Sequence, residues 1–129
     1  MIRAVLDTNV YVSGILFNGT PRDVLGLAIR GKIDVFVSPA ILSELKEVLA
    51  RKKFGFPPEH VDFIVREIES ITTPVIPSKR HSAVTRDSDD NIIIDCAVKA
   101  RAEYIVTGDN DLLSLKRYKR VGIFSPAEF

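Results

Sequence analysis

Four short apolar runs, each stopped by a polar or turn-forming residue, most constrain how this chain folds. Arg3-Ala4-Val5-Leu6 stops at Asp7, and Val35-Phe36-Val37 stops at Ser38-Pro39. Tyr104-Ile105-Val106-Thr107 stops at Gly108, and a weaker run from Val121 to Phe124 stops at Ser125-Pro126. Runs that are apolar throughout, rather than alternating, belong to strands buried on both faces. Between them apolar residues return at helical spacing. Ile41, Leu42, Leu45, Val48 and Leu49 follow a Ser38 cap with Pro39 in the first turn, and Val61, Ile64, Val65 and Ile68 follow Pro57-Pro58. Ile93, Ile94, Ala97, Val98 and Ala100 lie in a helix opened by Asp89-Asp90. Thr72 to Ile76 predicts a further strand, pushed to an edge by Pro74, and Asn110 to Leu115 a short helix. Strands separated by amphipathic helices predict parallel βαβ units in an α/β fold with a central, mostly parallel sheet. A chain of 129 residues is one domain, spanning residues 1–129, with no repeat, low-complexity tract or linker.

Composition narrows the chemistry. One cysteine, Cys96, excludes an internal disulfide and a cysteine metal cluster, and two histidines, His60 and His81, are too few for a histidine zinc site. No apolar run approaches the roughly 20 residues of a membrane span, and no signal-peptide pattern is present, so a soluble cytoplasmic protein is expected. Lys+Arg number 18 against 17 Asp+Glu, so any surface for a polyanion must be local.

In an open parallel sheet, sites form at the carboxyl ends of the strands. Asp7, followed by Thr8 and Asn9, stands where the first strand ends; Asp109 and Asp111 stand beyond the strand ending at Thr107. Glu44 lies one to two turns into the helix leaving the second strand, and Asp90 near the start of the helix feeding Tyr104. Clustered carboxylates repel unless a cation neutralises them, and several hard oxygen donors suit Mg²⁺ or Mn²⁺. Such ions activate water and stabilise charge on a phosphoryl group, so the pattern points to metal-dependent phosphodiester chemistry. Each acid also has a plainer role. Asp7 could close an Asx-turn, Glu44 could be a solvated helix charge, Asp87, Asp89 or Asp90 could be caps, and Asp109 could belong to loop chemistry.

The segments Val5-Leu6-Asp7-Thr8-Asn9, Ser43-Glu44-Leu45 and the long stretch from Asp87 to Leu113, with the closing Ser125-Pro126-Ala127-Glu128-Phe129, resemble a PIN domain. The resemblance covers essentially the whole chain and is nearest to the stand-alone toxins of toxin–antitoxin pairs (VapC-like). It implies a three-layer α/β/α fold. It implies that Asp7, Glu44 and Asp90 bind Mg²⁺ or Mn²⁺, with Asp109 as fourth acid and Asp111 as a water-mediated contributor; the choice among Asp87, Asp89 and Asp90 stays open. Thr8, Asn9 and Thr107 would support these ligands through hydrogen bonds. The implied activity is endonucleolytic hydrolysis of RNA by in-line attack of activated water, with an antitoxin partner and self-pairing as a homodimer or higher oligomer.

A polynucleotide needs basic flanks beside such acids. Arg51-Lys52-Lys53, Lys79-Arg80-His81 and the run Lys116-Arg117-Tyr118-Lys119-Arg120 qualify, the last with a tyrosine for stacking. Arg51-Lys52-Lys53 equally fits a helix C-terminus whose dipole it complements. Lys116 and Arg117 are therefore the leading phosphate-binding candidates, with isolated Arg22 and Arg86 nearer the expected pocket. Two rival functions remain. A phosphatase with an aspartyl nucleophile needs a second acid two residues on, where this chain has Asn9. A non-catalytic RNA-binding or protein-interaction module on the same scaffold is the alternative.

Overall fold

The computed structural model describes residues 1–78 and 88–129, with 88–90 described by their backbone alone. Strand β1 (Arg3–Leu6) leads to helices α1 (Thr8–Leu16) and α2 (Thr20–Ile29), then strand β2 (Asp34–Val37) and helix α3 (Pro39–Leu49). A 3-10 turn at Lys52–Phe54 joins α3 to α4 (Pro58–Ile71), which ends in the short strand β3 (Thr73–Pro74). Helix α5 (Ser88–Ala100), strand β4 (Tyr104–Val106), helix α6 (Asn110–Leu113) and the strands β5 (Arg117–Tyr118) and β6 (Val121–Phe124) complete the order.

The six strands form one sheet in the order β3-β2-β1-β4-β6-β5, parallel except for the β5–β6 hairpin, with helices flanking it. The α/β class and mostly parallel sheet expected of the sequence are therefore observed. Val5, Leu6, Val35, Val37, Ile105 and Val106 are buried, as doubly covered strands require. Helix α5 lays Ile93, Ile94, Cys96, Ala97 and Ala100 into this core, packing on β1, β2 and β4. Its C-terminal carbonyl at Ala100 accepts from both Nε and Nη2 of Arg3, at 3.1 and 2.6 Å, so the first strand caps the helix packed on it.

Local chemistry explains most boundaries. Ser38 Oγ accepts from the Ile41 N–H at 3.2 Å, giving α3 the cap its Ser-Pro start promised. Pro74 confines β3 to two residues at the sheet edge, where Val75 N–H still reaches the Val37 carbonyl at 2.9 Å. Helices α1 and α2 have no counterpart in the sequence reading. Helix α1 reads TNVYVSGIL, rich in β-branched residues and buried at Thr8, Val10, Tyr11, Val12 and Gly14, so it lacks a polar face to betray a period. Gly14 lets α2 approach closely: a Cβ there would meet Leu25 Cδ1 at 2.5 Å. The β5–β6 hairpin is likewise unanticipated; its two-residue strand is shorter than hydrophobic patterning resolves.

Candidate active site

The strand order reverses between β1 and β4: chain segments leave β1 towards β2 on one side, and β4 towards β6 on the other. A crevice opens outside the carboxyl ends at such a point. β1 and β4 end level, Leu6 opposite Val106, and the Asp7 N–H continues the ladder onto the Val106 carbonyl at 2.9 Å. Asp7 and the 107–109 segment are thereby delivered side by side from positions a hundred residues apart.

A cleft of about 480 Å³ lies over this edge, lined by Asp7, Asn9, Ala40, Ser43, Glu44, Glu47, Val48, Arg51, Ile92 and Asp109. Asp7 is only 5% exposed. It occupies the position before α1 without a side-chain bond that caps the helix, although the backbone N–H groups of Thr8 and Asn9 favour its charged form. Its Oδ2 accepts from the Thr107 hydroxyl at 2.7 Å, and Thr107 Oγ1 in turn accepts from the Asp109 N–H at 2.9 Å. One fully buried hydroxyl thus fixes both acids. Burial pushes the Asp7 carboxyl above the ordinary aspartate range; the Thr107 hydrogen bond opposes this, and the nearby Asp109 charge adds to it. Asp109 also caps α6, its Oδ1 accepting from the Asp111 N–H at 2.8 Å.

Helix α3 supplies the opposite wall. Ala40, Ser43, Glu44, Glu47, Val48 and Arg51 recur at spacings of three and one, which is one face of a helix carried just past its end. Glu44 is half-buried there. Glu47 was not singled out as a site residue by sequence, its offset of three from Glu44 being the available signal, whereas Arg51 was weighed there as a basic flank and as a helix-end charge.

Several expected site residues stand elsewhere. Asp111 is exposed on α6 and does not line the cleft. Thr8 is buried, its hydroxyl without a hydrogen-bond partner among the described residues. The Arg22 guanidinium is spent on the end of α1: Nε donates to the Gly14 carbonyl, Nη2 to that of Ile15, and Nη1 to Asn18 Oδ1, at 2.9, 2.9 and 2.8 Å. Lys116 and Arg117 descend into the β5 hairpin at the far sheet edge. Arg86, Asp87 and Lys79-Arg80-His81 lie outside the described residues, as do the side chains of Asp89 and Asp90.

Among the described residues, no three Asp, Glu, His or Cys side chains stand close enough to hold an ion by themselves. The donor set nevertheless suits a hard divalent cation. Asp7, Glu44 and Asp109 present only carboxylate oxygens to one cleft, and Asp7 is a buried acid whose charge both desolvation and its neighbour disfavour. A cation there would reverse that penalty.

No curated protein matches this sequence. Among solved structures the fold is similar to that of VapBC2 from Rickettsia felis, bound to a DNA fragment from their promoter, with TM-score 0.68 and 18% identity over 95% of this chain and 97% of that one. It is also similar to FitAcB from Neisseria gonorrhoeae, with TM-score 0.64 and 16% identity over 98% and 99% of the two chains. The family model of the PIN domain matches residues 3–111, the span that carries β1, the α3 wall and the Thr107–Asp109 turn, and the chain belongs to the PIN domain family.

Proposed function

We propose that this chain, as one domain over residues 1–129, is a metal-dependent endoribonuclease. The observation that carries the reading is the buried Asp7 carboxylate, held by Thr107 at the strand-order reversal with Asp109 and Glu44 in the same cleft. Asp7, Glu44, Asp90 and Asp109 would hold Mg²⁺ or Mn²⁺, with Asp111 contributing through water and Thr8, Asn9 and Thr107 supporting the ligands. The ion would supply an activated water and charge stabilisation for in-line attack on the phosphodiester.

The chain's own residues do the positioning. Thr107 holds the Asp7 carboxylate by its Oδ2 and, through its second hydrogen bond, sets where Asp109 begins α6. Asn9, exposed at the cleft, offers an amide that can hydrogen-bond a substrate oxygen without competing for protons. Arg22, Arg86, Lys116 and Arg117 remain proposed contacts for the RNA backbone; for Arg22 this would require a guanidinium that already caps α1.

The VapBC2 neighbour supports a toxin-like role for this chain with an antitoxin protein as partner; self-pairing into a homodimer or higher oligomer, in the cytoplasm, completes the proposal. Phe17 and Ile29, each 65% exposed at the ends of α1 and α2, are apolar side chains such a partner would cover. Among the described residues no helix is long and apolar enough to cross a membrane.

The test is cleavage of labelled single-stranded and structured RNA with Mn²⁺, Mg²⁺ or EDTA, comparing wild type with Asp7→Asn. Cutting that needs the metal and disappears in the variant is expected. A folded protein that binds RNA and cuts with neither metal would overturn the enzyme reading in favour of a binding module.

A further inference from the structure

Among the described residues one cation lines the acidic cleft: Arg51. Helix α3 ends at Leu49, Ala50 caps it, and Arg51 turns to extended backbone (φ −63, ψ 141) before the 3-10 turn Lys52–Phe54. Its side chain is exposed and, among the described residues, makes no hydrogen bond or ion pair, although Asp7, Glu44, Glu47 and Asp109 line the same cleft. Just outside, Lys46 on the same helix does pair, its Nζ 3.2 Å from Asp62 Oδ1 on α4. An arginine held at an acid-lined cleft, yet bonded to none of those acids, has its guanidinium donors available to a ligand.

The lip carrying it is built to stay in place. Gly55 takes the left-handed backbone (φ 68) that ends the turn, and its N–H donates to the Lys52 carbonyl at 3.1 Å. Phe54 stacks on Phe56 with centroids 6.3 Å apart, Phe56 lies 5.1 Å from the His60 ring on α4, and both phenylalanines pack against the core. Lys53 Nζ sits 5.1 Å from the Phe54 ring, a cation–π contact within the same turn. The other strongly basic run is placed differently. Arg117 pairs with Gly122, which is level with Tyr104 at the start of β4, and the hairpin turn at Lys119-Arg120 lies at the amino edge, away from the cleft.

We infer that Arg51, followed by Lys52 and Lys53, is the backbone-phosphate subsite of the cleft, receiving a single-stranded polynucleotide as it leaves the acids. The inference rests on the nuclease reading of that cleft and names where its substrate runs. Four carboxylates repel a polyanion, so entry needs a cation at the rim, and a planar guanidinium grips two phosphate oxygens at once. The helix-dipole role open to Arg51-Lys52-Lys53 in the sequence does not account for a side chain on the cleft wall.

The test uses the full chain carrying Asp7→Asn, in EDTA, with fluorescent single-stranded RNA and DNA of one sequence, read by anisotropy across a salt series. Adding Arg51→Met should weaken binding of both about tenfold, the loss of one charge-assisted contact. It should also flatten the slope of log affinity against log salt by about 0.7, one single-strand phosphate. Arg51→Lys should keep the slope. Lys32→Met, which removes the same charge beside β2 at the amino edge, should change neither quantity. Unchanged affinity and slope in Arg51→Met, with the polynucleotide still bound, overturns the inference alone. An equal loss in Lys32→Met overturns it too, since overall charge would then carry the effect. Failure of the Asp7→Asn chain to bind either polymer overturns the inference and leaves the nuclease reading to the cleavage assay with Mn²⁺ or Mg²⁺.

Discussion

Thr107→Val removes two hydrogen bonds with almost no change in volume. The hydroxyl donates to Asp7 Oδ2 at 2.7 Å and accepts from the Asp109 N–H at 2.9 Å, and Thr107 is wholly buried, so water cannot take over at Asp7. A hydrogen bond to a charged group contributes about 1.5–3 kcal/mol and a neutral one about 1 kcal/mol, so the two together come to roughly 2.5–4 kcal/mol. For a domain of this length each kcal/mol moves the melting temperature by about 4 °C, giving a fall of roughly 10–16 °C. Thr107→Ser keeps both bonds and loses one methyl group, so it should cost only about 1 kcal/mol. Thermal and urea unfolding of wild type, Thr107→Val, Asp7→Ala and the double variant would form a cycle whose coupling between residues 7 and 107 should reach about 1.5 kcal/mol or more. A valine variant within about 0.5 kcal/mol of wild type, with no coupling, would refute the claim that Thr107 holds the acids in place.

Tyr11 is wholly buried and its hydroxyl has no partner among the described residues, so Tyr11→Phe should raise stability by about 1 kcal/mol in urea unfolding; a loss of that size would mean that the hydroxyl is bonded. The Asp7 carboxyl, raised by burial, binds its proton more tightly folded than unfolded. Metal-free stability should therefore fall as pH rises from about the ordinary aspartate value of 3.8 through the raised folded value, and Asp7→Asn should flatten that fall in melts across pH. Saturating Mn²⁺ should restore wild-type stability at neutral pH and leave the variant unchanged. Burial pushes the Cys96 thiol up to about 12, so it should resist a thiol reagent at pH 8 until the protein is unfolded; rapid labelling of the native chain would contradict its place on the core face of α5.

The sheet was legible because its strands are buried on both faces, which leaves uninterrupted apolar runs at Val5-Leu6, Val35–Val37 and Ile105-Val106. Helices α3 and α5 were legible for a related reason: Ser38-Pro39 marks one start, and each helix turns one stripe to the core. Helices α1 and α2 were not. Val10, Tyr11 and Val12 are buried in succession around α1, and α2 buries only Val24, Leu25 and Ala28, so neither shows a long period of the kind that reveals a half-exposed helix. At the site, strand ends pointed to Asp7 and Asp109 because topology alone puts them at the carboxyl edge. What the sequence could not weigh was the contest for each cation. Arg22 looked free and proves to cap α1, whereas Arg51 looked like a helix-end charge and lines the cleft. Those outcomes depend on which acceptors come within reach once α1, α2 and α3 have packed.

The central claim is that acids from β1, α3 and the β4–α6 turn share one divalent ion. Anomalous scattering from crystals grown with Mn²⁺ tests it directly. The account predicts a peak in the cleft within bonding distance of Asp7 and Asp109 carboxylate oxygens and absent from Asp7→Asn crystals. Fully occupied crystals with no peak near Asp7, or one unaffected by Asp7→Asn, would contradict it.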